Sequence, residues 1–82
     1  MKERVIAVFV TTHETMLAEK TFKTGGVKFR TALKPRKLGG SCQMALTFAP
    51  EIFQRARDVV KESGLKLEGF YRQDGEGEWT PL

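Results

Sequence analysis

Two strand–helix–strand patterns follow one another along this chain, and their order is the feature that most constrains its fold. Residues 5–10 form a continuous apolar run rich in β-branched side chains, too short for a buried helix, which predicts a central strand. Thr11, with Glu14 three residues later, has the capping-box pattern that begins a helix. Two glycines, at residues 25–26, are expected to end it. Its apolar side is expected to comprise Met16, Leu17, Ala18 and Phe22.

The second pattern begins at residues 27–32, where apolar and polar side chains alternate as in a half-buried edge strand. Residues 44–48 predict a third strand. Pro50 suits the first position of a second helix, which Gly64 would end. Residues 65–71 then predict a fourth strand.

The resulting order, β-α-β-β-α-β, predicts an α+β domain of the ferredoxin-like, split βαβ kind, with a four-stranded antiparallel sheet and two helices on one face. The first crossover makes strands one and two parallel, and strand three returns between them. The connection from strand two to strand three therefore lies at the C-terminal end of strand one, where the first helix begins. We expect one domain over residues 1–72 and a polar C-terminal tail over residues 73–82.

At 82 residues the chain is near the small end of what folds as one unit, and oligomerisation is a common way to add stability. One sheet face lacks helices in this arrangement, so a second copy of the chain is a candidate to cover it. No apolar run approaches the roughly 20 residues that span a bilayer, and the start lacks the pattern of a secretory signal. These features predict a cytoplasmic protein that does not associate with membranes.

Positive charge is concentrated in the middle of the chain. Residues 20–50 contain seven Lys or Arg and no Asp or Glu, whereas the remainder is mildly acidic. Such a region attracts anions or an acidic partner. Nucleic acid fits less well, because RNA-binding domains of this fold stack bases on sheet aromatics in a motif that this chain lacks.

The connection at residues 33–42 contains the chain's only cysteine, Cys42, which excludes an internal disulfide and a cysteine-rich zinc site. A lone cysteine in a reducing compartment is either a small buried hydrophobic residue or a reactive thiol. Nearby cations lower the pKa of a thiol and favour the reactive thiolate. Three basic residues share this connection with the thiol: Lys34, Arg36 and Lys37.

The start of the first helix is expected to face the same connection. It presents Thr11 and Thr12 as candidate binding residues and the chain's only histidine, His13. His13 can exchange a proton with Cys42, or it can be a solvated histidine at a helix start. These two side chains alone are too few for a metal site, and we predict no metal and no cofactor.

An anion site is the second prediction for this connection. Arg36, after Pro35, offers a planar fork for a carboxylate or a phosphate-like group. Gly40 and Ser41 can turn backbone N–H groups towards the same anion. The alternative is a glycine-rich loop whose charges are simply solvated.

Five sequence segments resemble the family of short selenium/sulfur carrier-like proteins: residues 9–16, 19–20, 26–27, 35–36 and 41–42. Members show a serine/threonine-threonine-histidine segment after the first strand, a proline-arginine pair, and a cysteine at the start of the third strand. The resemblance covers roughly residues 5–72. Gln43 stands where members commonly have glycine.

The resemblance implies a carrier that accepts a sulfane sulfur or selenium atom on Cys42 and passes it on, rather than an enzyme with its own turnover. Its partners would be a donor protein and an acceptor protein. In this interpretation His13 and Thr12 tune the thiol, while Arg36 and Ser41 hold an anionic group. The alternative from another class is a non-catalytic anion-sensing or protein-docking module that uses the basic Pro-Arg and Gly-Gly loop.

Overall fold

The structure, a computed structural model, describes residues 3–38 and 43–82. It is an α+β fold, as predicted, with two helices and a five-stranded antiparallel sheet. The strands are β1 (Arg4–Phe9), β2 (Arg30–Leu33), β3 (Met44–Phe48), β4 (Leu67–Gln73) and β5 (Trp79–Pro81). The helices are α1 (Thr12–Thr24) and α2 (Phe53–Ser63), with single 3₁₀ turns at Arg36–Leu38 and Pro50–Ile52.

The sheet order is β2-β3-β1-β4-β5, and every neighbouring pair is antiparallel. Because β1 and β2 both run antiparallel to β3, they are parallel to each other and end at the same edge of the sheet. The topology of β1 to β4 therefore puts the β2–β3 connection where the sequence predicts it, beside the start of α1. None of the helices in the described residues is long and apolar enough to cross a membrane.

The prediction of four strands is wrong, because the segment predicted as a polar tail adds a fifth. β5 pairs with β4 through Tyr71–Pro81 and Gln73–Trp79. A tight turn makes this possible: an Asp74 carboxylate oxygen accepts hydrogen bonds from the backbone N–H groups of residues 76 and 78, at 2.8 and 3.1 Å. An Asp-Gly pair at residues 74–75 is a turn signal that could have indicated this hairpin.

Helix α1 begins as predicted, and two of its four predicted core residues, Ala18 and Phe22, are buried. Thr11 is the N-cap. The fully buried positions are Thr15, Ala18 and Phe22, whose spacing of three and four residues places them on one side of the helix. Met16 and Leu17, predicted to be core, are 57% and 39% exposed. One helical step of 100° turns each of them away from the sheet.

Pairing in β2 begins later than predicted, at Arg30 instead of residue 27. Gly26 and Val27, which follow α1, close the end of that helix instead of joining a strand. Gly26 adopts a positive φ of 74°, and the Val27 N–H donates to the carbonyl of Phe22 at 2.8 Å. Because this N–H closes the end of the helix, it is not available to a strand ladder.

The main core lies between the helices and one face of the sheet, where the alternation of β1 directs Val5, Ala7 and Phe9. Aromatic rings run through this core in four edge-to-face contacts with centroids 5.1–6.3 Å apart. Such pairs each stabilise the fold by about 0.5–1.5 kcal/mol beyond the area they bury. The rings are Phe22, Phe29, Phe48, Phe53 and Phe70.

The other face of the sheet is covered without a helix. Ile6, Val8 and Ala45 form a second buried cluster on this face, each at most 1% exposed. The side chains packed against it are Leu38, Tyr71 and Trp79. The β2–β3 connection and β5 thus cover the centre of this face, and a second copy of the chain on it stays a prediction.

Candidate functional site

One end of the sheet gathers the described residues that sequence analysis assigned to the site. β1 and β2 end there, and α1 starts directly after β1. The N–H of Val10 donates to the carbonyl of Lys66 at 3.0 Å, which ties the end of β1 to the start of β4. The start of α1 and the β2–β3 connection therefore share this end, as the topology predicts.

The β2–β3 connection is closed at its base. The N–H of Lys34 donates to the carbonyl of Gln43 at 2.8 Å. The N–H of Leu38 donates to the carbonyl of Pro35 at 3.1 Å and forms the 3₁₀ turn. Leu38 then packs on the cluster that covers the sheet face opposite the helices. The first part of the connection is thus fixed to the body of the domain at both its base and its turn.

Three predicted site residues of this connection lie outside the described residues: Gly40, Ser41 and Cys42. Of the others, Pro35 is half-buried and Arg36 begins the 3₁₀ turn. The structure therefore fixes the two ends of the segment that carries the thiol, and the chemistry assigned to the thiol remains a prediction.

Thr11 has a structural function at this end. Its Oγ1 accepts a hydrogen bond from the N–H of Glu14 at 3.1 Å, and its carbonyl accepts one from the Thr15 hydroxyl at 3.1 Å. The cap uses a lone pair of the hydroxyl oxygen and leaves its O–H free to donate. Binding of an anion by Thr11 is compatible with this cap and stays a prediction.

We expect Thr11→Ala to destabilise the domain by about 0.5–2 kcal/mol, because the N–H of Glu14 loses its partner at the helix start. The measurement is the urea midpoint of unfolding, followed by circular dichroism. Thr24→Ala is the matched control, since the Thr24 hydroxyl bonds only within its own helix, to the carbonyl of Lys20 at 3.0 Å. Equal losses in both variants would contradict a capping function for Thr11.

Thr12 and His13 occupy the first turn of α1, and both are exposed. His13 makes no hydrogen bond or ion pair with the described residues. Exposure at the sheet end that carries the β2–β3 connection leaves the imidazole free to meet a solute or a partner. Among the described residues, no three His, Cys, Asp or Glu side chains come together as metal ligands would.

Lys34, one of the three basic residues of this connection, is half-buried. Its Nζ atom is shielded from solvent and has no hydrogen-bond partner among the described residues. Lys37, three residues later in the same connection, is exposed. The sequence shows both as basic residues and carries no signal that separates them, because burial depends on how the connection folds against the sheet.

Three exposed apolar side chains belong to or follow the elements that meet at this end. Val10 follows β1 and is 37% exposed, Met16 lies in the second turn of α1, and Leu33 ends β2 with 81% of its surface exposed. Exposed apolar side chains are candidates for contact with another protein. These three residues lie in or next to elements that begin or end on the candidate-site side of the sheet.

No curated protein and no solved structure matches the chain. One family model matches residues 4–72, which include β1 to β3, both helices, the β2–β3 connection and all of β4 except its last residue. The chain therefore belongs to the family described as "Putative Se/S carrier protein-like".

Proposed function

We propose that this protein is a sulfur or selenium carrier that holds the transferred atom on Cys42. The observation that carries the proposal is membership of the family, whose model spans the whole β2–β3 connection. The basic residues of the connection support it, because cations near a thiol favour the thiolate. The element order β1 to β4 is consistent with a ferredoxin-like core to which β5 is added.

The transfer needs no oxidant or reductant beyond the donor. The Cys42 thiolate attacks the outer sulfur of a donor persulfide, R–S–S–H. A new S–S bond forms at Cys42, the S–S bond of the donor breaks, and the donor leaves as the thiolate R–S⁻. An acceptor thiolate then attacks the outer sulfur on Cys42 and releases the Cys42 thiolate. A selenium atom in place of the outer sulfur follows the same balance.

The side chains around the thiol have distinct functions in this proposal. His13 exchanges a proton with the attacking or leaving sulfur, and Thr12 donates a hydrogen bond at the same helix start. Arg36 and Ser41, with backbone N–H groups around Gly40, hold an anionic group of the donor. A cytoplasmic location belongs to the proposal, because a reducing compartment keeps a lone thiol free.

Donor and acceptor are proteins in this proposal, and they would dock on the exposed apolar side chains of Val10, Met16 and Leu33. A partner that covers this surface would bury apolar area and exclude water from the transfer. Shielding from solvent matters, since small thiols dissolved in the solvent would otherwise attack the persulfide or selenosulfide and remove the carried atom. A second copy of the chain, on the sheet face that lacks helices, is a further candidate partner.

The test is the rate of Cys42 alkylation by iodoacetamide against pH on the native protein, followed by intact mass. We expect the thiol to react in the folded protein with an apparent pKa below about 8.5, the value of a free cysteine. Arg36→Ala and His13→Ala are each expected to raise that pKa, because each removes a positive or hydrogen-bonding group. Lys61→Ala is the matched control. Lys61 is an exposed residue of α2, so its removal should leave the pKa of Cys42 unchanged.

A thiol that reacts only after unfolding would overturn the carrier proposal. The remaining function would then be the anion-sensing or docking module, with its ligand sought at the basic connection. The buried ammonium of Lys34 is the observation that favours this second candidate.

A further inference from the structure

A cavity of about 590 Å³ lies at the end of the sheet opposite the candidate site. β1 begins there at Arg4, β2 begins at Arg30 and β3 ends at Phe48, and all three residues line the cavity. The 3₁₀ turn after β3 adds Ile52 to the wall. The volume falls within the range of small-molecule pockets, roughly 300–1,000 Å³.

Part of the cavity wall is apolar and belongs to the core. Four apolar residues line the cavity: Phe29, Phe48, Ala49 and Ile52. Phe48 is buried in the main core cluster, and Phe29 and Ile52 pack against that cluster. Because the core holds these side chains in place, this part of the wall is formed before any ligand arrives and can receive an apolar group.

The cavity also reaches the sheet face opposite the helices. Arg30 pairs with Thr47, which pairs in turn with Ile6 of the second buried cluster. Directly opposed residues of antiparallel strands share a face, so Arg30 and Thr47 belong to the face of Ile6. Both line the same cavity as the phenylalanines of the core. The cavity therefore crosses the end of the sheet and offers a polar and an apolar part to one ligand.

The uncompensated charge at this cavity is positive. The charged residues that line it are Glu3, Arg4, Lys28 and Arg30. Arg72 already holds the Glu3 carboxylate, since its Nε and Nη2 atoms lie 3.0 and 2.8 Å from Oε1. Lys28 and Arg30 are exposed, and their side chains make no ion pair or hydrogen bond with the described residues.

Arg4 differs from these two cations, because its side chain is fixed by other contacts. Its Nε atom donates to Oε1 of Gln73 at 2.9 Å, and its guanidinium lies 5.6 Å from the Trp79 ring centroid. Lys28 and Arg30 are therefore the cations that a ligand in the cavity can engage.

We propose that this cavity binds a small organic carboxylate that carries an aromatic or branched apolar group. Lys28 and Arg30 take the carboxylate, for which a guanidinium has the matching planar fork. The apolar group lies against Phe29, Phe48 and Ile52. Inorganic phosphate or sulfate fits less well, because a strongly hydrated anion would lose water beside an apolar wall that offers it nothing in return.

The test titrates N-acetylphenylalanine into the full ¹⁵N-labelled chain and follows the backbone amide signals by NMR. We expect saturable shifts at Phe29, Arg30 and Phe48, with a Kd on the order of 1 mM, as ligand efficiency allows for about 15 non-hydrogen atoms. N-acetylphenylalaninamide keeps the ring without the charge, and acetate keeps the charge without the ring. Each should bind at least about tenfold more weakly than the acid.

Lys28→Gln and Arg30→Gln distinguish this site from general surface charge. Each should weaken binding of N-acetylphenylalanine by about five- to tenfold, because one cationic partner of the carboxylate is lost. Lys61→Gln, on an exposed position of α2, is the matched control and should bind like wild type. Since Lys28 and Arg30 are exposed and unpaired, their variants should keep the wild-type melting temperature, so that lost binding is not lost folding.

Three results would overturn the proposal. Equal binding of the acid and its amide would mean that the cavity recognises apolar surface alone. Equal binding of acetate, or an equal loss in Lys61→Gln and Arg30→Gln, would mean that net charge alone attracts the anion. A pentapeptide that ends in phenylalanine tests the other source of such a carboxylate. It should bind no more tightly than N-acetylphenylalanine, and binding tighter by about tenfold or more would replace the small molecule with a protein C-terminus.

Discussion

We expect Phe22→Ala to unfold most of the protein at 37 °C. Phe22 is fully buried, and its ring makes edge-to-face contacts with Phe29 at 5.8 Å and Phe48 at 6.2 Å. Truncation of a buried phenylalanine costs about 3–5 kcal/mol, because transfer energy is lost and a cavity is left. At roughly 0.05–0.15 kcal/mol per residue, a domain this small is near the lower end of the range for native proteins, so this loss removes most of its stability. The measurement is the melting temperature, which should fall by about 4–8 °C for each kcal/mol.

Leu17→Ala is the control for this prediction, since it truncates an apolar side chain on the same helix. Leu17 is 39% exposed, so its removal should cost about 1 kcal/mol or less. The comparison also tests the corrected face of α1. If Leu17→Ala were as damaging as Phe22→Ala, the helix would have to pack with the face that the sequence alone suggests.

The assignment of that face shows where sequence reasoning reaches its limit. Met16 and Leu17 are more apolar than Thr15, and hydrophobicity alone therefore selects them as core. The structure buries Thr15 instead. Its hydroxyl donates a hydrogen bond to the Thr11 carbonyl at 3.1 Å, so burial leaves no unpaired polar group. A local hydrogen bond of this kind makes a polar residue acceptable in the core. The spacing of apolar residues in the sequence does not reveal such a bond.

The sequence likewise predicted some features of the candidate site and missed others. The capping pattern of Thr11 and Glu14 and the order of the elements were enough to predict which end of the sheet holds the start of α1 and the β2–β3 connection. Both signals are local or topological. The burial of Lys34 and the packing of Leu38 depend on how one loop folds across a sheet, and no local pattern encodes that.

The packing of Leu38 gives the β2–β3 connection a mechanical link to β5. Leu38 and Trp79 pack on the same buried cluster, and the guanidinium of Arg4 lies 5.6 Å from the Trp79 ring centroid. The last strand therefore helps to hold the first part of the connection that leads to Cys42. The hairpin that the sequence did not predict is in this way part of the support of the candidate site.

Cys42→Ser is expected to abolish sulfur transfer while leaving the fold intact. The oxygen of serine forms no persulfide, so neither step of the transfer has a nucleophile or a leaving group at this position. The measurement uses ³⁵S-labelled glutathione persulfide as donor and follows label on the protein and then on an added small-molecule thiol. Wild type should take up about one label per chain and release it to the thiol, and Cys42→Ser should take up none.

Arg36→Ala is the informative companion in the same assay. A carrier that lacks Arg36 still has its nucleophile, so it should load more slowly and reach a substantial fraction of the wild-type label. An anion-sensing module would show the opposite order. Its affinity for a small anion such as sulfate would survive Cys42→Ser and be lost in Arg36→Ala. The two variants therefore separate the functions through opposite losses, because chemistry requires the sulfur whereas recognition requires the cation.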